Sequence, residues 1–282
     1  QAKTLFPYTT LFRSPPDSTS ATFGLTLSAA SGAIELLCGV MVDAGVCACA
    51  CAVRGMLRVE NFRNFVWTGE FTANPQYETR QFDLTKLTDL DVFISHFDPF
   101  EGLAHIFLSF GFSGGEHLVV SLESRREVGE TFSPFFGMLR QYEIIYVVGS
   151  EEDIVGARTS FRNERVYRYP TVATGEEARA LLVGLGEDIN AIAAQPKFYH
   201  TLTHNCTNEI TRRVEMMSEA RFPLTWKTLL PGYFDEVLYE MNLIQKSGSF
   251  AETKSARLID NMADNPRGGS FSQELRGAAI VR

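Results

Sequence analysis

The chain has 282 residues, 26 basic and 34 acidic side chains, and a formal net charge of −8 at pH 7. This length accommodates one domain with a sizeable core. A nucleic-acid partner requires a basic stripe that neutralises phosphates, and the basic residues of this acidic chain are scattered among carboxylates, so the composition argues against that partner.

The first 56 residues lack the periodicity of a folded element. Residues 4–14 look like the in-frame translation of a sequencing-adapter oligonucleotide, so we exclude them from fold reasoning. Residues 23–53 are largely apolar, but Glu35 and Asp43 interrupt the run of about 18 uncharged residues that a bilayer crossing requires. We expect residues 1–56 to be a non-native or disordered leader, or the remnant of a membrane anchor.

Four of the five cysteines lie in this leader, at Cys38, Cys47, Cys49 and Cys51. A structural zinc site needs a second pair of ligands at a fixed spacing, and neither that pair nor a nearby histidine is present in the sequence. We therefore predict no metal and no cofactor. Cys206 is then the single cysteine of the predicted domain.

The segments that follow are typical of an antiparallel sheet, because they are short, rich in β-branched and aromatic residues, and separated by turn residues. The predicted strands cover residues 57–67, expected at a sheet edge, and then 87–96, 104–112, 117–123, 141–148 and 165–170. The sequence Ser113-Gly-Gly-Glu116 predicts a tight hairpin turn between residues 104–112 and 117–123.

Helical patterns dominate the second half. Thr174 and Glu177 have capping-box spacing, and apolar residues recur at helical period to about Ala194, before Pro196. A polar loop then leads through Cys206 into a second helix. Residues 223–241 predict a packed turn and a short helix, and the polar, Gly-rich end, residues 261–282, predicts a loose tail.

Cys206 is the candidate nucleophile. Asn205 or Thr207 can cap the helix whose first turn holds the cysteine, and free backbone N–H groups there favour the thiolate. The competing interpretation is a small buried side chain, since free cysteines are often buried.

His105 and Glu123 are the candidate base and orienting group. His105 starts the first strand of the predicted hairpin and Glu123 ends the second, so antiparallel pairing brings them to the same end of the sheet. Each has a structural alternative. His105 could be a core histidine whose ring nitrogens are hydrogen-bonded, and Glu123 could be the ion-pair partner of Arg125 or Arg126.

Three further residues are candidates for a supporting role. His96 is a reserve base or an orienting residue beside the site, Asn205 is a cap, and Tyr142 supplies a hydroxyl near the oxyanion or belongs to the core.

Four segments together resemble the motif series of the DUF4105 family, also called the Lnb N-terminal periplasmic domain, from about residue 57 to residue 259. They are His105–Phe112, the Ser-x-Glu-x-Arg segment Ser121–Glu127, Arg140–Tyr146, and Phe198–Thr207 with its Asn-Cys-Thr motif. The resemblance implies an α+β domain over residues 57–260, in which a permuted NlpC/P60-like, papain-related antiparallel sheet packs against the cysteine-bearing helix.

Cys206, His105 and Glu123 occupy positions that match the family's motifs, and Ser95-His96 falls in a further motif of the family. The sequence departs from the family at His200 and His204, where Asn-like residues are more common, so neither is our choice of base. The anchoring segment that the family leads us to expect before Leu57 is missing or garbled.

The resemblance also implies a function. Family members are linked to N-acylation of lipoproteins, which predicts a periplasmic or cell-envelope acyltransferase, membrane-anchored in its native form, with a phospholipid donor, a lipoprotein acceptor and a membrane surface as partners. A cysteine amidase or peptidase of cell-wall peptides is the alternative. A binding module is third, and would be favoured if Cys206 lay buried and far from His105.

Overall fold

The structure, a computed structural model, describes residues 49–53, 55–125, 132–259 and 271–277. It is an α+β fold built on a large, mostly antiparallel sheet. Within the described residues the strands are β1 Cys49–Val53, β2 Met56–Arg63, β3 Val66–Gly69, β4 Thr72–Asn74, β5 Tyr77–Asp83, β6 Leu87–His96, β7 Ala104–Phe112, β8 His117–Arg125, β9 Glu143–Gly149, β10 Arg165–Pro170 and β11 Leu258–Ile259.

Nine of these strands form one sheet in the order β1-β2-β9-β8-β7-β6-β10-β11, with β5 also paired to β2, while β3 and β4 form a separate hairpin. The pairing of β2 with β9 is parallel. The predicted hairpin of β7 and β8 lies in the middle of the sheet, and Gly115 in its turn has φ +82°, a conformation that glycine adopts without a steric penalty.

Eight α-helices occur in the described part of the chain. They are α1 Pro134–Met138, α2 Glu151–Gly156, α3 Gly175–Ala194, α4 Cys206–Met217, α5 Trp226–Leu229, α6 Phe234–Glu240, α7 Phe250–Arg257 and α8 Phe271–Gly277. The predicted capping box at α3 is present, because Thr174 and Glu177 each accept a hydrogen bond from the other's backbone N–H.

The main core lies on one face of the sheet, under α3, α4 and α6. Helix α3 contributes an apolar stripe of Ala178, Leu181, Leu182, Leu185 and Ile189, which packs on side chains of the central strands. Burial of this stripe is what holds the long helix on the sheet.

The opposite face carries a smaller core under α2 and α8. Phe93 and Phe107 stack there with ring centroids 5.1 Å apart, and Phe271 and Leu275 of α8 are buried against the same cluster. Arg276 of α8 donates hydrogen bonds to two buried carboxylates, those of Glu151 and Asp91. Both faces of the central hairpin are therefore covered.

The first strand prediction was wrong in two respects. Residues 57–67 divide into β2 and β3. Strand β2 lies inside the sheet, because β1 and β5 pair with its first half from opposite sides and β9 pairs with it at Arg63. Asn61 has φ 55° and coincides with a shift of register between β2 and β5. The strand therefore bends before the alternating sequence pattern of residues 57–67 ends. Strand β5 was missed because its side chains are mostly polar and charged.

Both ends of the chain also differ from expectation. The backbone of residues 49–53 forms β1, and Met56 begins β2, so the sheet starts inside the predicted leader. Residues 271–277 of the predicted loose tail form α8, which is packed into the smaller core. The rest of the leader, the side chains of Cys49 and Cys51, and the rest of the tail lie outside the described residues. Among the helices that the structure describes, none combines the length and apolar character of a membrane span.

Candidate active site

The N-terminus of α4 holds the candidate nucleophile. The Asn205 side chain caps the helix: its Oδ1 accepts a hydrogen bond from Asn208 N at 2.9 Å, and its Nδ2 donates to Thr201 O at 2.6 Å. Cys206 is the first helical residue and is buried. The sequence prediction of an Asn205 cap is confirmed, and the backbone N–H groups of the first turn have no partner within the helix.

The central hairpin brings His105 and Glu123 together. Phe107 pairs with Ser121 in the β7–β8 ladder, and continuing that register places His105 opposite Glu123. The atoms His105 Nε2 and Glu123 Oε1 lie 3.2 Å apart. The Ser121 hydroxyl links the two side chains, 2.7 Å from His105 Nε2 and 2.8 Å from Glu123 Oε1, to which it donates.

The His105 imidazole and the Cys206 thiol lie close enough that each shifts the pKa of the other. Since Nε2 faces Ser121 and Glu123, Nδ1 is the ring nitrogen left for the sulfur. The backbone N–H of Ile106, the residue after His105, also lowers the pKa of the thiol. The structure thus brings Cys206 beside His105, which is joined to Glu123 directly and through Ser121.

The electrostatics of this group of residues favour an ion pair. Burial lowers the pKa of His105, but the Glu123 carboxylate and Cys206 outweigh it and raise that pKa to about 9. Burial raises the pKa of the Cys206 thiol, but His105 and the Ile106 N–H bring it below its usual range. The charges of His105 and Arg158 likewise overcome burial and hold the pKa of Glu123 far below its usual range. Both shifts favour the thiolate and imidazolium forms of the Cys206–His105 pair over the neutral forms.

Arg158 fixes the carboxylate end of this group. It lies in the π-helical turn Ala157–Phe161 and is 1% exposed, and its Nη2 donates to Glu123 Oε1 at 3.0 Å. Its guanidinium also lies over the Phe107 ring, 4.7 Å from the centroid, and Phe107 stacks on His105. The alternative in which Glu123 pairs with Arg125 is not observed, because Arg125 pairs with Glu143 and Glu123 with Arg158. Arg126 lies outside the described residues.

An aromatic cluster borders the thiol. Tyr199 lies close enough to Cys206 and Glu123 that burial and these two negative charges raise the pKa of its hydroxyl. Its ring contacts Phe132, and Phe132 stacks on Tyr142 with centroids 5.7 Å apart. The Tyr142 hydroxyl accepts a hydrogen bond from Ser133 N at 2.9 Å. Tyr142 is therefore a fully buried core residue, and its proposed place near the oxyanion stays a prediction.

His96 has different surroundings from His105. It ends β6, its ring is edge-on to Tyr167, and its Nε2 lies 3.9 Å from Glu101 Oε1. Burial lowers its pKa, and the opposing effect of Glu101 is weaker. Within the described residues neither ring nitrogen has a hydrogen-bond partner, so nothing in the geometry connects His96 to Cys206.

His200 and His204 pair through their backbones in the loop before Cys206. His204 also lines a cavity of about 540 Å³ between α3, α4 and β9, with Tyr146, Asp188 and Arg212 among its walls. Cys206, His105 and Glu123 do not line that cavity, so it is separate from the candidate site.

Three partners of the site were not identified from the sequence. Ser121 belongs to the Ser-x-Glu-x-Arg segment, and its position two residues before Glu123, on the same strand face, was a usable signal. Arg158 and the Ile106 N–H gave no such signal, because the first is distant in sequence and the second is a backbone group.

A family model described as "Lnb N-terminal periplasmic domain" matches residues 73–232, the segment that contains Cys206, His105, Glu123 and Arg158. No curated protein and no solved structure matches the chain.

Proposed function

The chain belongs to the family of the Lnb N-terminal periplasmic domain, and from that premise we propose that it is a thiol acyltransferase of the bacterial cell envelope. It passes an acyl chain from a phospholipid ester, through a thioester on Cys206, to an amine such as a lipoprotein N-terminus. The observation that supports the proposal is the grouping of Cys206 with His105 and Glu123, in which His105 and Glu123 are 3.2 Å apart, the pKa of the thiol is lowered and that of the imidazole is raised.

The resting site supplies the nucleophile without a separate deprotonation step. A thiolate is the reactive form of cysteine, and the imidazolium beside it is the stored proton. Glu123 holds that imidazolium through Nε2, directly and through Ser121, and Arg158 holds Glu123. No metal is required for this chemistry.

Acylation of the enzyme begins when the Cys206 sulfur attacks the carbonyl carbon of the donor ester, which forms a C–S bond and an oxyanion. The free N–H groups at the start of α4, including that of Cys206, are the donors for this oxyanion. Collapse breaks the ester C–O bond, and His105 gives its proton to the departing alkoxide. The products are a lysolipid alcohol, a thioester and a neutral imidazole.

Transfer reverses these roles. A neutral amine attacks the thioester carbonyl, His105 takes a proton from that nitrogen, and the C–S bond breaks. The acceptor leaves as an amide, and the thiolate and imidazolium are restored.

The same proposal includes the permuted NlpC/P60-like, papain-related ancestry and a membrane anchor in the native protein. The supporting observation for the ancestry is a cysteine at the first turn of a helix that packs on an antiparallel sheet carrying the histidine, with His105 before Cys206 in chain order. The family is one of periplasmic domains, which supports a periplasmic location.

A cysteine amidase or peptidase is the alternative, because water or an amine can resolve the same thioester. Exposed apolar side chains near the site, among them Phe135, Leu139 and Phe198, favour a lipid donor over a cell-wall peptide. A buried Cys206 far from His105 would favour the binding-module alternative. Cys206 is buried, but it lies close enough to His105 for each to shift the pKa of the other, which supports the enzyme instead.

The test is mass spectrometry of the intact chain after incubation with a phospholipid that carries two identical acyl chains. We expect a mass increase of one acyl chain, located on Cys206 and removed by hydroxylamine, which cleaves thioesters. A primary amine added afterwards should appear as its N-acyl derivative.

Cys206→Ser is the control for the site. Release of free fatty acid in the presence of excess amine would favour the hydrolase. Absence of any adduct, from phospholipids and from cell-wall peptides alike, would refute covalent catalysis.

A further inference from the structure

An apolar surface is exposed beside the site. It consists of Phe135, Phe136, Met138 and Leu139 in and just after α1, with Phe198 and Leu202 from the loop before Cys206. We call these six residues the α1 surface. Phe135, Leu139 and Phe198 are each more than half exposed, at 59%, 56% and 59%, which is unusual for side chains of this size.

Direct contacts hold the two segments of the α1 surface together. Thr201 Oγ1 donates to Pro134 O at 2.7 Å, and Glu143 forms a β-bridge with Phe198. A Cβ at Gly137 would lie 2.4 Å from Thr201 Oγ1, so the helix approaches the loop as closely as glycine permits. The surface is therefore built on packed elements.

The α1 surface adjoins the candidate site through two chains of contact. Asn205, the cap of the Cys206 helix, donates to Thr201 O between Phe198 and Leu202. Tyr199 lies between the Gly137 backbone on one side and the Cys206 sulfur on the other. A ligand that covers the α1 surface is thus held next to the residues that surround the thiol.

Two basic residues border this surface, although the chain as a whole is acidic. The acidic residue bridged to Phe198, Glu143, is paired with Arg125, and Lys197 also lines the cavity beside α4. Arg140 directly follows Leu139, and Lys197 directly precedes Phe198. Among the described residues, neither has a carboxylate within salt-bridge distance, whereas Arg158, Arg168 and Arg213 elsewhere in the domain do. An apolar centre with unpaired cations at its edge matches an anionic lipid–water interface.

We infer that the α1 surface docks on an anionic phospholipid bilayer, which brings the lipid next to the segment that holds Cys206. The aromatic and aliphatic side chains enter the headgroup and acyl boundary, and Arg140 and Lys197 contact lipid phosphates. The inference rests on the proposed function, because an ester donor that is embedded in a bilayer must reach the buried thiol.

A bilayer is favoured over a second copy of the chain because of the charges. Two copies would bring the like charges of Arg140 and Lys197 together at a shared rim, which opposes association. An anionic lipid surface attracts both.

The experiment is flotation of the purified chain with vesicles of phosphatidylglycerol and phosphatidylcholine, compared with vesicles of phosphatidylcholine alone. All proteins carry Cys206→Ser, so that binding is measured without chemistry. We expect flotation with the anionic vesicles, and a fall in the partition coefficient of about tenfold or more in Phe135→Ser/Leu139→Ser, which removes two large apolar side chains from the contact. Arg140→Gln/Lys197→Gln should remove the preference for anionic vesicles.

The matched control is Val172→Ser/Leu224→Ser, which removes two exposed apolar residues elsewhere and should float like the parent. Because all these side chains are exposed, thermal unfolding should be unchanged in every variant. The inference is overturned if the parent does not float, if the control loses as much binding as the α1 variant, or if the α1 variant instead dissociates an oligomer in sedimentation. Flotation of the parent without acylation of the unsubstituted chain would support docking of the α1 surface on lipid and refute only the proposed function.

Discussion

His105 Nε2 and Glu123 Oε1 lie 3.2 Å apart on adjacent strands, and Ser121 bridges the same two atoms. This arrangement ties the protonation of the imidazole to a carboxylate that Arg158 keeps charged. It therefore makes the behaviour of Cys206, on the other side of the ring, sensitive to groups that never contact the sulfur.

The first prediction concerns the reactivity of Cys206 towards iodoacetamide. Because His105 and the Ile106 N–H lower the pKa of the thiol, the thiolate persists as the pH falls below the value of about 8.5 that is typical of a free thiol. We expect rapid alkylation at mildly acidic pH, and in His105→Ala a midpoint shifted upward towards or beyond that value. A parent protein whose rate rises only near pH 8.5, unaffected by His105→Ala, would support the buried-cysteine interpretation instead.

The second prediction is a bell-shaped pH profile for acylation of the enzyme. The lower limb follows protonation of the Cys206 thiolate, and the upper limb follows loss of the His105 proton, with a pKa of about 9. In Glu123→Gln the carboxylate charge that raises the pKa of His105 is lost, so the upper limb should move to lower pH. An upper limb at the same pH in both proteins would show that Glu123 does not act through His105.

The third prediction assigns Arg158 a positioning role. Arg158→Met removes the cation from a buried carboxylate, and breaking such a pair typically costs about 3 to 5 kcal/mol of stability. We expect chemical unfolding to show a loss of this order, with a clearly smaller loss in the double variant Arg158→Met/Glu123→Gln.

A stability change alone would not distinguish positioning from packing. The second readout is the alkylation midpoint of Cys206, which should shift in Arg158→Met and remain in place in the exposed control Arg165→Gln. Equal midpoints in Arg158→Met and the parent would restrict Arg158 to a structural role.

The fourth prediction tests the helix cap. Asn205→Ala deletes the hydrogen bonds from Asn208 N and to Thr201 O, and loss of a cap costs roughly 0.5 to 2 kcal/mol. Asn205→Asp should retain the bond from Asn208 N but place a negative charge beside the thiolate, so the alkylation midpoint of Cys206 should rise. Thermal unfolding and alkylation of both variants measure the two effects, and an unchanged midpoint in Asn205→Asp would contradict the second.

The fifth prediction concerns α8. Arg276 reaches the buried carboxylates of Glu151 and Asp91, and burial raises the pKa of Asp91 against the opposing effects of Arg168 and Arg276. Arg276→Met should therefore destabilise the fold by about 3 kcal/mol. Gln273→Met, on the same helix, is the matched control and should change stability by less than about 0.5 kcal/mol. Equal stability of all three proteins would mean that α8 does not contribute to the folded domain.

The sequence predicted those features of the fold and of the candidate site that depend on residues close together in the chain. The capping box at Thr174, the cap at Asn205 and the hairpin turn at Gly115 depend on residues within one turn of each other, and each is present. The hairpin in turn predicted that His105 and Glu123 share one end of the sheet, because antiparallel register follows from a short turn.

Contacts between distant segments could be read only from the tertiary structure. Arg158 meets Glu123 because a π-helical turn on the far face of the sheet places it there, and no local pattern encodes that approach. The interior position of β2 was decided by its neighbours β1, β5 and β9, of which β1 lies outside the expected domain limits. Helix α8 is too short for its periodicity to show, so only burial against the smaller core reveals it. The sequence determines which groups are able to react, whereas packing decides which of their charges are paired.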